Sequence, residues 1–193
     1  MSSGDPLTRA RILDAARALL EERPGAGLSM GQIAARACVS RQAVYLHFAD
    51  RATLLLELTR AVDSAVRTPS EQRRVDEAPS GRAALGAAVL LQARLKPKLH
   101  GVVTALDALR RADPDAEAAW RERDDARLER CRQVVRRLAA EGDLAPGLRV
   151  EDAARLMWAV TSQRVWEDLG WSADRYARHV TRLLEQALLR EPC

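Results

Sequence analysis

Apolar residues recur along this chain at three- and four-residue spacing and almost never in strict alternation, a period that predicts helices from end to end. Ile12, Ala15, Ala16 and Leu19 line one face of a first helix read over Pro6 to Glu22. Asp5 is its N-cap, and Pro6 stands at the first helical position, where a missing amide costs nothing. The run Pro24-Gly25-Ala26-Gly27 ends it. Ser29-Met30-Gly31-Gln32 has the form of a capping box and opens a short helix through Ile33, Ala34 and Ala37. Cys38-Val39 then connects tightly to Ser40, a second N-cap, and a third short helix runs from Arg41 to about Phe48. Asp50 caps a fourth, long helix that carries Leu54, Leu55, Leu58 and Val62 inward.

From Thr68 through Gly81 the pattern turns polar and reads as a linker. Arg82 to Lys96 is apolar on most sides, as a buried helix would be, and Pro97 is expected to interrupt it. Leu99 to Arg111 supplies another helix. Asp113-Pro114 starts a long one that ends near Gly142, with Leu128, Cys131, Val134, Val135 and Leu138 as its inner stripe. After a loop at Pro146 and Gly147, helices are expected over Glu151 to Leu169 and, capped by Ser172, on to about Arg190. The predicted fold is all-α, about nine helices: an N-terminal three-helix domain over 1–52 and a larger helical domain over 53–193.

Composition supports that pattern and narrows the function. Hydrophobic residues make up 47% of the 193 residues and aromatics only 4%, with Ala and Leu in place of strand-forming runs. A formal net charge of +4 and a pI near 9.4 suit a polyanionic partner without requiring one. The first sixty residues are almost neutral, so a nucleic-acid role there must rest on where the cations stand. Cys38, Cys131 and Cys193 are odd in number and form no Cys-x-x-Cys pair, which argues against a disulfide framework or a zinc site. The beginning of the chain lacks the apolar core of a signal peptide, and no stretch approaches the roughly 18 apolar residues of a membrane span. The expected setting is cytoplasmic, with no cofactor, no metal and no membrane partner.

The informative segment is Leu28 to Leu56. Two capped short helices separated by a turn of about three residues have the spacing of a helix-turn-helix. On the second helix Val44 and Phe48 can pack inward with Val39, while Arg41, Gln42, Tyr45 and Leu46 project on the other side. Arginine suits guanine edges and glutamine adenine edges, and Arg41 and Gln42 lie at the end that enters a major groove first. The hydroxyls of Ser29, Ser40 and Tyr45, together with His47 and Arg51, suit phosphates.

The run from Ile33 to Phe48, followed by Asp50-Arg51 and Leu54-Leu55, resembles the DNA-binding signature of the TetR family in order, length and position. The resemblance covers roughly residues 6 to 52. It implies that Tyr45 and Arg51 anchor the phosphate backbone and that Arg41, Gln42 and Ala43 face the bases. Two positions depart from the pattern: Cys38 stands where the family usually has Gly, and Arg51 where it usually has Lys.

Beyond residue 60 the resemblance is one of layout. It implies a ligand cavity among the middle helices and a dimer bundle from the last two, hence a one-component regulator released from a palindromic operator on double-stranded DNA by a small-molecule effector. Amphipathic stripes support the homodimer independently, with Leu156 and Val160 on one helix and Tyr176, Val180, Leu183, Leu184 and Ala187 on the other. Val62, Leu91, Leu95, Val103, Trp120, Leu128, Trp158 and Trp166 are the candidate pocket residues, although tryptophans in general serve cores and interfaces. Cys131, on an inner stripe, reads as a small buried hydrophobe. The sequence holds no paired carboxylates in a recognisable frame, no nucleophile elbow, no phosphate-binding glycine loop and no His-x-x-x-His, so an enzyme is not expected. The alternatives are a redox-sensing regulator acting through Cys38 and a helical adaptor without ligand response.

Overall fold

The computed structural model describes residues 5–23, 26–66 and 68–190. Pro24 and Gly25, which end the first helix in the sequence reading, lie outside the described residues, as does Cys193. Ten helices follow in order: α1 (Pro6–Glu22), α2 (Met30–Arg36), α3 (Arg41–His47), α4 (Arg51–Val66), α5 (Pro69–Asp76), α6 (Gly81–Arg110), α7 (Pro114–Ala140), α8 (Val150–Val160), α9 (Gln163–Leu169) and α10 (Ala173–Leu188). The all-α expectation holds, and the described residues include no strand beyond an isolated bridge between Leu144 and Leu189.

The helix count differs from nine for three reasons. Thr68 accepts a hydrogen bond from the Glu71 amide, so the expected linker opens with a capped helix, α5. Pro97 lies inside α6 and does not end it. Ala93, Leu95, Leu99 and Val102 are all buried around it, and packing on both sides outweighs the roughly 3 kcal/mol that an interior proline costs. The helix expected over Glu151 to Leu169 breaks at Thr161-Ser162, where Ser162 accepts from the Val165 amide and restarts the chain as α9.

The chain divides into two compact units, one of residues up to Ala65 with Leu99–Asp124, the other of Val66–Lys98 with Asp125 onward. In the first unit Thr59, Val62, Leu99, Val102, Val103 and Leu106 surround one small void of about 10 Å³, so α4 packs on the second half of α6. Ion pairs join the same elements: Arg60 Nη2 to Glu122 at 2.5 Å and Arg123 to Asp63 at 3.6 Å.

In the second unit Met157 and Thr161 at the C-terminal end of α8 are buried, and the last carbonyls of the helix need donors. Lys96 Nζ donates to the Thr161 carbonyl at 2.7 Å, and Arg127 Nη1 donates to those of Trp158 at 2.8 Å and Thr161 at 3.3 Å. Two cations thus stand at the negative end of the helix dipole. The Tyr176 hydroxyl donates to the Val160 carbonyl at 3.3 Å.

Tyr176 is fully buried, and burial pushes its phenol up to about 12 from the ordinary 10.0. The unfolded chain therefore ionises first as pH rises, so the stability held by the neutral phenol is complete below pH 10 and lost between about 10 and 12. Over that window the parent should lose about 2 kcal/mol more than Tyr176→Phe in denaturant melts. Parallel losses in both proteins would contradict the assignment.

Cys38 has φ +54°, the left-handed conformation, between α2 and α3. A Cβ there costs roughly 1–2 kcal/mol, partly offset in Cys38→Gly by the extra freedom of an unfolded glycine, about 0.4–1 kcal/mol. Cys38→Gly should be neutral or stabilising by up to about 1 kcal/mol, whereas Cys38→Val, β-branched at the same φ, should destabilise by about 1–2 kcal/mol. Thermal melts that rank valine above glycine would refute the strained turn.

Candidate nucleic-acid interface

Every cap anticipated in the helix-turn-helix forms. Ser29 Oγ accepts from the Gln32 amide at 3.2 Å while Gln32 Oε1 accepts from the Ser29 amide at 2.9 Å. Ser40 Oγ accepts from the Ala43 amide at 3.0 Å, and Asp50 from the Thr53 amide at 2.7 Å. Serine hydroxyls used as acceptors keep their own hydrogen for an outside phosphate. Arg11 Nη2 donates to the Ala37 carbonyl at 2.6 Å and closes the C-terminal end of α2.

These contacts fix which way α3 faces. Val44 and Phe48 are essentially fully buried, and the Arg9 guanidinium lies 5.1 Å from the Phe48 ring centre. Arg41, Gln42, Tyr45 and Leu46 are exposed, with Leu46 at 77%, while Ala43 and His47 are half-buried. Tyr45 and Leu46 are thus two of the few large apolar side chains left exposed among the described residues. The neighbouring cations are sorted by their pairing. Arg36 is held by Glu22 at 2.5 Å and Arg9 by Glu57 at 2.6 Å. Arg41, by contrast, has no carboxylate partner among the described residues and extends over Gly31, where a Cβ would meet its Cδ at 3.8 Å.

Arg51 is placed differently from the other expected contact residues. Its Nη1 and Nη2 donate to the two oxygens of Asp113 at 2.5 and 2.7 Å, and Nε and Nη2 donate to Asp115 at 3.1 and 2.8 Å. Burial opposes the guanidinium charge, and the hydrogen bonds that Arg51 donates to Asp115 and Asp113 outweigh it, raising the Arg51 pKa above its ordinary value. Asp113 also accepts from the amides of Asp115 and Ala116, so one carboxylate both caps α7 and holds the first turn of α4. The sequence reading took Asp113 as a cap alone.

The second unit encloses a cavity of about 240 Å³ among α5, α6, α7 and α8. Of the candidate pocket residues only Leu91 lies on its wall. Val62 and Val103 belong to the small void of the first unit, and Leu95 and Leu128 are buried elsewhere in the second. Trp120 and Trp158 carry Arg110 and Arg127 over their rings at 4.7 and 4.5 Å, and Trp166 is half-buried in α9. The other wall residues were not marked in the sequence as pocket positions, and they include the arginines Arg127, Arg130 and Arg137 of a long helix.

On α8 and α10 the apolar positions split. Tyr176, Val180 and Leu184 are buried within their own chain, because they fill the core of the second unit. Leu156 at 45%, Leu183 at 51% and Ala187 are exposed, with Val160 half-buried.

Residues 12–58 match the family described as bacterial regulatory proteins, tetR family. Among solved structures, the chain is similar to NalD of Pseudomonas aeruginosa, the secondary repressor of the MexAB-OprM multidrug efflux pump, at 26% identity and a TM-score of 0.73 over 96% of this chain and 97% of that one. It shares the fold of the regulator FadR from Bacillus subtilis in complex with stearoyl-CoA, at 18% identity and a TM-score of 0.74 over 91% and 96% of the two chains. It also shares that of a TetR-family regulator from Rhodococcus sp., at 19% identity and a TM-score of 0.71 over 95% and 98%. No curated protein sequence matches the chain. Residues 12–58 thus carry the likeness to that family, and the chain as a whole shares the fold of these solved regulators.

Proposed function

We propose that the chain is a transcriptional repressor that binds a pseudo-palindromic operator as a two-fold dimer and leaves it when a small molecule fills the cavity of its second unit. The observation that carries the reading is the exposed face of α3, where Arg41, Gln42, Tyr45 and Leu46 project from a helix locked by its caps and by Val44 and Phe48. Arg41 and Gln42 meet base edges, Ala43 gives them close approach, and Ser29, Ser40, Tyr45 and His47 hold phosphates. Leu156, Val160, Leu183 and Ala187 form the dimer contact, since exposed apolar positions on two neighbouring helices are covered by the same positions of a second copy. That NalD is a repressor supports the sign of the regulation.

In this reading Arg51 positions the head and does not itself hold a phosphate, because its donors already face two carboxylates. Mutants separate the roles. Gln42→Ala should relax preference at one operator position by about 1–3 kcal/mol. Arg51→Met should weaken all sequences alike and leave the slope of log affinity against log salt unchanged, whereas a lost phosphate contact lowers it by about 0.9. Titrations of operator and random DNA at several salt concentrations read both, and a reduced slope in Arg51→Met would return that residue to the backbone.

A further inference from the structure

The wall of the second-unit cavity joins two chemistries. Val75, Ala84, Ala88, Leu91, Val134 and Met157 give it apolar sides. Arg127, Arg130 and Arg137 line it together with one carboxylate of the wall, Asp76, which itself accepts from Gln72 Nε2 at 2.9 Å. Arg127 is only 8% exposed and is seated by the neutral carbonyls of Trp158 and Thr161. Arg137 is fixed by the carbonyls of Asp76 and Ala78 and by Glu141 at 3.0 Å. Cys131, on the same wall, senses the local field. Burial pushes its thiol up, and the charges that act on it in the other direction are Arg127, Arg130, Lys96 and Arg132, all cationic.

A cation-rich rim over an apolar wall stabilises a ligand that is charged at one end only, because a buried anion needs fixed donors and its chain needs none. Every wall side chain is non-aromatic, so the cage that holds a quaternary ammonium is missing from the wall. The volume of about 240 Å³ lies below the roughly 300–1,000 Å³ of pockets for drug-sized ligands, which favours a short or medium chain.

We propose that this cavity takes a small amphipathic monoanion of the aliphatic carboxylate class, its chain against Val75, Leu91 and Met157 and its carboxylate toward Arg127 and Arg130. The inference rests on the reading of the protein as a ligand-responsive regulator and specifies the class of ligand.

The test is calorimetry on the full-length protein with octanoate, octanol and octylammonium, run beside operator titrations with the same three probes. Octanoate should bind at least tenfold more tightly than octanol, and octylammonium should not bind. Arg130→Met should cost octanoate at least tenfold and leave octanol within twofold, and Ala88→Trp, which fills the cavity, should abolish octanoate binding. Should Ala88→Trp fail to fold, slower alkylation of Cys131 in the presence of octanoate, read by peptide mass, places the ligand instead. Preference for octanol or octylammonium, or octanoate binding indifferent to both substitutions, overturns the proposal. If the uncharged or cationic probe binds and releases operator, the regulator reading stands and the anion falls. If octanoate binds as described and the operator is retained, the ligand class stands and release by ligand falls.

Discussion

One ion-pair cluster organises the first unit: the Arg51 guanidinium held between Asp113 and Asp115. Asp113 is 8% exposed at its side chain, and stripping either partner from such a partly desolvated pair costs more than the exposed pairs around it. Through it the first turn of α4 is bound to the first turn of α7. A second chain of charges, Arg9 to Glu57 to Arg60 to Glu122, links α1, α4 and α7 in the same unit. These outer pairs are more exposed and contribute less, but they share a direction. α3 packs against α1 and α2, while α1 is tied to α4 through Arg9 and Glu57 and α4 to α7 through Arg51 and Arg60.

That arrangement suggests how the proposed ligand response travels. The cavity wall includes Ala84, Ala88, Leu91 and Gln92 of α6 and Arg127, Arg130, Cys131 and Arg137 of α7. The same two helices supply Leu99–Leu106 to the packing under α4 and Asp113 to the N-terminus of α7. In the proposed response, a ligand lowers operator affinity only by its differential affinity for two settings of the protein. The buried cations Lys96 and Arg127 add a constraint of their own, because they fix the end of α8 to α6 and α7 within the second unit.

The sequence was most legible where structure is local. Caps at Asp5, Ser29, Ser40 and Asp50 are contacts within three residues, and all four form. The inward pair Val44 and Phe48 and the outward set Arg41, Gln42, Tyr45 and Leu46 follow from helical period alone. Position 38 was also legible, since a turn that favours glycine shows a left-handed cysteine. What failed depended on distant partners. Pro97 signals a break, but buried neighbours on both sides carry α6 through it. Tyr176, Val180 and Leu184 share an amphipathic stripe with Leu183, and only packing tells which of them the same chain covers. The cavity arginines and the clamp on Arg51 join residues tens of positions apart, for which a single sequence offers no period and no motif.

In the proposed function two copies of the α3 face read one operator. Selection of bound sequences from random duplex DNA, with footprinting of the winner by the parent and by a Leu183→Glu variant, tests this. The selected sequence should be an inverted repeat whose half-sites lie about one helical turn, roughly 34–36 Å, or slightly more apart. Both halves should be protected together by the parent, and affinity should collapse in Leu183→Glu. A single unrepeated site, or a footprint unchanged by a charge at position 183, would contradict it.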